Sequence, residues 1–349
     1  MPASNSNDDY IYEDTVYIGT PNFATAISDT VPELRVDTIP EPESDTIVPP
    51  EKTSETKGIT DLEITPDEDS DEQPNEDFVF PYRLNQPNET FELPSSLTEI
   101  SAIAFTPKDE LGCVQDEKGN IYVFDLKKGE IDRKIDFWKD GDYEGLAFVK
   151  KSAYVLRMDG NIYQVRKFDT KDQETKKRST FLNEKNDAEG LCYDERNNRL
   201  LVALKGRPGE SGQFKGKKAV YAFDLEEKEL LEEPVYLIDL KATEKHIKRN
   251  IELEGYKRIV KYFNPDKKDQ FQPSEIGIHP ITGNIYITSS VGKILMVISP
   301  DGDLLHLESL ERDILKQPEG MAFFKNGDLL ISSEGKSGKG KIVKFHYTK

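Results

Sequence analysis

The chain has 349 residues, with 66 acidic against 47 basic side chains, a formal net charge of −19 and two cysteines. Two cysteines in so long a chain exclude a disulfide-stapled mini-fold, and no aromatic-basic stripe of the kind that binds nucleic acid is present. Residues 1–77 hold 21 of the acids against Arg35, Lys52 and Lys57 alone, so nearly all the excess charge lies there and the remainder is close to neutral.

The first 77 residues are rich in Pro, Thr, Ser, Asp and Glu. They cannot bury enough apolar surface to offset their ordering entropy, so the expectation is a disordered acidic spacer. Asp67, Asp69 and Asp71 have calcium-loop spacing, but Glu72 stands where the turn needs Gly and Phe78 where the loop needs Glu. No run of about 18 apolar residues exists to cross a membrane, and no signal-peptide core opens the chain. Cys113 and Cys192 are expected as free, buried thiols.

From residue 78 one phrase recurs five times. It reads Glu99-Ile-Ser101-Ala-Ile-Ala-Phe105, Asp142-Tyr-Glu144-Gly-Leu-Ala-Phe148, Asp187-Ala-Glu189-Gly-Leu-Cys-Tyr193, Gln272-Pro-Ser274-Glu-Ile-Gly-Ile278 and Gln317-Pro-Glu319-Gly-Met-Ala-Phe323. Successive third positions are 43, 45, 85 and 45 residues apart. A strand-built period near 45 is the mark of an all-β fold, a β-propeller of four-stranded blades.

After each phrase come alternating apolar runs separated by Asp-Gly or Gly-Asn turns, which are hairpin signals. Blade one continues with strands at 111–115, 121–126 and 131–137. Blade two has 153–158, 162–168 and a weak fourth strand at 179–182. Blade three has 199–205, 219–225 and 235–240; blade four has 284–289, 293–298 and 304–310. Blade five has 328–334 and 341–347 and lacks a fourth strand. The unassigned run 79–84 is expected to supply it, closing the ring and covering an exposed edge. The 85-residue step leaves two readings: five blades with a short helical insertion within 241–273, or six blades. Ile247, Ile251, Ile259, Val260 and Phe263 share a helical face and favour the insertion, expected as a cap on the acid-bearing side.

Residues i and i+2 of a strand point the same way, so the first and third letters of each phrase should face the central channel. This places Glu99, Asp142, Asp187, Gln272 and Gln317 in one ring, and Ser101, Glu144, Glu189, Ser274 and Glu319 in another. Asp116, Arg157, Lys205 and Glu334 end second strands near the same mouth. Crowded carboxylates are relieved in one of two ways. Calcium or another divalent cation takes 6–8 oxygen ligands; the expected set is Glu144, Glu189, Glu319, Asp142, Asp187 and Glu99. Otherwise Arg157 and Lys205 pair with the acids, or some carboxyls stay protonated. Arg157, Lys205, Glu334, Asp116 and Ser274 are the expected contacts for a small anionic ligand.

Other motifs fail. Gly335-Lys-Ser-Gly-Lys-Gly340-Lys341 has phosphate-loop spacing, but Ile342 replaces the required Ser or Thr and strands flank it. There is no Gly-x-Ser-x-Gly elbow. The four histidines are scattered, with only His246 expected near the mouth, so no nucleophile has a visible base.

Taken in order, the phrases resemble the SdiA-regulated (YjiK-like) family of bacterial β-propeller proteins. The residues that carry the resemblance are Glu99-Ile-Ser-Ala-Ile-Ala, Asp116-Glu-x-Gly-Asn-Ile-Tyr122, Gly141-Asp-Tyr-Glu-Gly145, Asp187-Ala-Glu-Gly190, Leu204-Lys-Gly206, Ile278-His-Pro280, Gln317-Pro-Glu-Gly320 and Ser332-Ser-Glu-Gly335. The resemblance implies a propeller of the cell envelope, plasma-membrane-associated or periplasmic, usually behind an N-terminal anchor; this chain shows an acidic tail there instead. Three functions stand open. One is a monomeric, non-catalytic ligand- or ion-binding propeller with calcium at the mouth and an envelope protein or small anion as partner. The second is a metal-dependent phosphoester or lactone hydrolase, by similarity to phytase-like and lactonase-like propellers. The third is a protein-interaction scaffold. Substitution of Glu144 by Gln separates them.

Overall fold

The computed structural model describes residues 63–64, 78–209, 212, 214–251, 255–336 and 338–348. The expectation of a disordered tail over 1–77 lies, except for 63–64, outside the described residues. The short strand β1 (Glu63–Ile64) pairs in parallel with Leu237 and Ile238.

The five-bladed reading holds and the six-bladed one falls. The strand that closes the ring, β2 (Glu89–Glu92), precedes blade one: β3 (Ile100–Phe105), β4 (Leu111–Gln115), β5 (Asn120–Asp125) and β6 (Glu130–Asp136). Blade two comprises β7 (Tyr143–Val149), β8 (Ser152–Arg157), β9 (Ile162–Arg166) and β10 (Glu174–Arg178). Blade three comprises β11 (Ala188–Asp194), β12 (Arg199–Leu204), β13 (Lys217–Asp224) and β14 (Tyr236–Asp239), with β1 at its outer edge. Helices α1 (Leu240–Arg249) and α2 (Tyr256–Ile259) and a 3-10 turn, Val260–Phe263, fill the insertion. Blade four comprises β15 (Pro273–Ile278), β16 (Ile285–Ser289), β17 (Ile294–Ile298) and β18 (Leu304–Ser309); blade five has β19 (Pro318–Phe323), β20 (Leu329–Ser333) and β21 (Lys341–Phe345).

Two boundaries differ from expectation. The fourth strand of blade five is β2, not 79–84. Glu89 lies opposite Lys344 and Glu92 opposite Lys341, and the Lys344–Glu89 and Lys339–Glu92 ion pairs flank the seam at 2.9 Å each. Pro81 has no N–H to give a ladder. Tyr82 and Leu84 instead enter the core between blades four and five, where the Tyr82 hydroxyl donates to the Gly327 carbonyl at 2.6 Å. The fourth strand of blade two is β10, ahead of the expected 179–182. Its sequence Glu-Thr-Lys-Lys-Arg buries only Thr175, as suits an outermost strand.

The core is divided among the blade interfaces. Tyr143, Tyr163 and Val155 fill the space between blades one and two; Leu191, Val202 and Tyr221 lie between two and three. Ile276, Ile287 and Phe263 lie between three and four, Leu295, Met321 and Leu329 between four and five, and Ile103, Leu330 and Ile342 between five and one. The insertion packs through Ile247, Ile259 and Phe263 against β14 and β18. It enters from the end of β14 and leaves into the start of β15, on the acid-bearing face as expected, but its contacts run to these outer strands of blades three and four.

Candidate functional site

The five inner strands share one local distortion. Each antiparallel pairing with the second strand shifts register at the third letter of the phrase, between Ile100 and Ala102, Tyr143 and Gly145, Ala188 and Gly190, Pro273 and Glu275, and Pro318 and Met321. A β-bulge re-aims the side chain at the extra residue and bends the strand. Ser101, Glu144, Glu189, Ser274 and Glu319 are the residues at those bulges. The glycine that follows meets the next blade. A Cβ on Gly190 would lie 2.8 Å from the Ile276 nitrogen, and one on Gly320 would lie 2.8 Å from the Ile103 nitrogen. The Glu-Gly pair is thus a bulge followed by a point of backbone contact.

The acids do gather at the mouth. Glu189 and Glu319 are 4% and 7% exposed and Glu144 is partly buried. Burial raises Glu144 well above the usual carboxyl range, reinforced by Glu189, Asp142 and Glu319, and a hydrogen bond with Asp142 favours its protonated form. Glu319 is likewise pushed well up by burial, then by Glu189 and Glu334. Glu189 sits at about 7: burial raises it more than its Lys205 partner lowers it, and Asp187 and Asp142 add to the rise. Asp116 sits at about 6 through burial and the neighbouring Glu99, Glu334 and Asp142, and its Oδ1 is buried without a partner. Burial also raises Glu334, next to Glu99. Glu99 itself is exposed.

The cations are otherwise engaged. Lys205 donates to Glu189 Oε1 at 2.6 Å. Arg157 turns to Asp159 in the hairpin of its own blade. Each cation thus already has a carboxylate partner within the chain. Ser274 is engaged as well. Its hydroxyl donates to the Pro318 carbonyl at 2.9 Å and lies 3.3 Å from Thr288 Oγ1, tying blade four to blade five. The oxygen chemistry of the ring suits a hard cation, yet among the described residues no three His, Cys, Asp or Glu side chains are grouped so that they could hold a metal ion.

Two residues escaped the sequence reading. Glu275 takes the place of the phrase glycine in blade four and is 1% exposed. Its Oε1 accepts from the amides of Leu191 at 3.0 Å and Ile276 at 2.9 Å, Oε2 has no partner, and burial raises its pKa far above the usual range. The departure from Gly at that position was the available signal. Lys218 is buried beside the mouth and donates to the Lys205 carbonyl at 2.6 Å; burial lowers it to about 8. It stands near the start of β13, one residue before the strand expected at 219–225.

Three of the four histidines are engaged away from the acids of the mouth. His279 is buried in an aromatic group with Tyr82, Tyr286, Phe323 and Tyr347. His306 pairs with Glu308 and His346 with Asp328, both on outer parts of the blades. His246 lies on α1.

No curated protein matches the chain. Among solved structures, Myxococcus xanthus glutaminyl cyclase is 12% identical over 75% of this chain and 96% of its own, with a TM-score of 0.46. Staphylococcus aureus virginiamycin B lyase is 13% identical over 74% and 73%, TM-score 0.38. A Bacteroides caccae protein of unknown function is 15% identical over 65% and 66%, TM-score 0.37. None of these bears on what this mouth does. Residues 87–253, which contain the first three acidic phrases, match the family described as SdiA-regulated, the family that the order of those phrases resembles.

Proposed function

We propose that this is a non-catalytic binding propeller of the bacterial cell envelope whose acidic mouth receives a cation. One observation carries the reading: Glu144, Glu189 and Glu319 converge with raised pKa values, and the Lys205–Glu189 pair is the ion pair that partly neutralises them. Carboxyls whose protonated forms are favoured by burial and by one another gain when a positive group enters. The described carboxyls are not grouped for a bare metal ion, so an ammonium or guanidinium group, which spreads its donors over several acceptors, suits them better than calcium. The envelope location rests on the family resemblance alone.

The test is calorimetry of the full chain at pH 7 with spermidine and with calcium, each in two buffers of different ionisation heat, against Glu144→Gln/Glu189→Gln. Spermidine heat that depends on the buffer and vanishes in the double variant supports the reading. Micromolar calcium binding lost in the same variant would replace the organic cation by a metal. No heat from either probe at millimolar concentration overturns the proposal and leaves the ring as an internal packing device.

A further inference from the structure

The face opposite the acids carries a cavity of 480 Å³ between blades one and two. It is formed by the β3–β4, β7–β8 and β9–β10 turns. Its apolar floor is the edge-to-face pair Phe148 and Phe168, with ring centroids 5.1 Å apart. Lys108, Lys150, Lys151 and Lys167 line the walls and are exposed. Three acids also line it, and two of them are occupied: Arg133 donates to Glu110 at 2.9 and 3.1 Å and to Asp169 at 2.7 and 2.9 Å. Among the described residues no such ion pair engages the four lysines, which leaves Asp172 as the acid set against them.

The turn backbone adds a second observation. Lys150 and Lys167 have φ of 53° and 50°, in the left-handed region that glycine occupies at lower cost. An aromatic floor beneath cationic walls is a receptor for a molecule with an apolar body and an anionic end, and the volume lies within the range of small-molecule pockets.

We propose that this cavity binds an amphipathic carboxylate, its chain or ring on Phe148 and Phe168 and its carboxylate among Lys150, Lys151 and Lys167. The site is separate from the acidic mouth and does not depend on the function proposed for it.

Octanoate and octan-1-ol are the probes, titrated calorimetrically into the full chain, into Lys150→Glu/Lys167→Glu and into Glu144→Gln/Glu189→Gln. The expected result is one octanoate per chain, binding weakened at least about tenfold in the lysine variant and for octan-1-ol, as loss of charge-assisted contacts requires, with the glutamate variant unchanged. Equal binding of the alcohol, undiminished binding by the lysine variant, or no octanoate heat up to about 10 mM, tenfold above a millimolar Kd, would each overturn the proposal. Because both lysines are exposed, the variant is expected to melt with the parent, which circular dichroism checks.

Discussion

The carboxyl of Glu275, on the inner strand of blade four, accepts the backbone N–H of Leu191 on the inner strand of blade three at 3.0 Å. Blades two, three and five have glycine at this point of the phrase, and its backbone meets the following blade. Glu275 instead reaches back with its side chain to the preceding blade. Burial without a cation raises its pKa well above the ordinary carboxyl range, which favours the neutral acid.

Glu275→Gln should therefore be tolerated, costing less than about 1 kcal/mol, because an amide carbonyl can accept from the same N–H groups. Glu275→Ala leaves the Leu191 and Ile276 amides short of their acceptor and opens a cavity, and should cost about 2–4 kcal/mol. Urea unfolding of both variants distinguishes a protonated acceptor from a charged one; equal losses would argue for a carboxylate.

The close approach at Gly190 predicts a steric cost. In Gly190→Ala the new methyl meets the Ile276 nitrogen at 2.8 Å, where backbone must give way, so a loss of about 1–3 kcal/mol is expected. Gly129, whose Cβ would meet nothing within 4 Å, provides the comparison for glycine loss without a clash, allowing for its φ of 70°.

The acidic mouth sets a pH dependence. Glu189 has a folded pKa near 7 against an ordinary value of 4.5, so the fold holds a proton that the unfolded chain releases. Its contribution is fully present below pH 4.5 and is lost as pH rises through 7. The drop in Tm between about pH 5 and pH 8 should shrink in Glu189→Gln. An unchanged drop would show that Lys205 keeps Glu189 ionised throughout.

His279 works in the opposite direction. Burial lowers its pKa to about 4 from 6.5. Its contribution is present above pH 6.5 and is lost as pH falls towards 4, a change of up to about 3 kcal/mol. Its Nδ1 lies 3.3 and 3.2 Å from the amides of Ile281 and Thr282 as their acceptor, a role that Gln can fill. His279→Gln should flatten the acid limb of the stability curve, measured as the difference from the parent between pH 6.5 and pH 4.

Ring closure predicts an asymmetry between truncations. Removing 1–77 should leave Tm near that of the full chain. Removing 1–94 also takes away β2 and its ladder with β21, exposing the edge of blade five, and should unfold the ring. Equal melting temperatures would refute β2 as the closing strand.

The ring and the position of the acids were readable because the phrase repeats and because inner strands are buried on both faces, so their pattern is apolar and regular; the 85-residue step left the blade number at five or six. The closing strand was misplaced for the complementary reason. Glu89-Thr-Phe-Glu92 is an outer strand with mostly exposed side chains, and the more apolar run at 79–84 attracted the assignment while serving as core filling. Blade two's β10 was missed in the same way. At the mouth, Arg157 could be placed by periodicity, but its capture by Asp159 two residues away depends on a hairpin geometry that spacing does not encode.

The seam between β2 and β21 joins residues 255 positions apart, as Glu89 and Lys344 show. A connection of that span costs about 5 kcal/mol in loop-closure entropy, beyond the constant for initiating it. During synthesis, blades one to four can each form from neighbouring sequence while β2 waits without its partner. The last sheet is completed only when β21 has emerged, so the order of synthesis makes the seam the final step of assembly, and the long separation makes it a slow one.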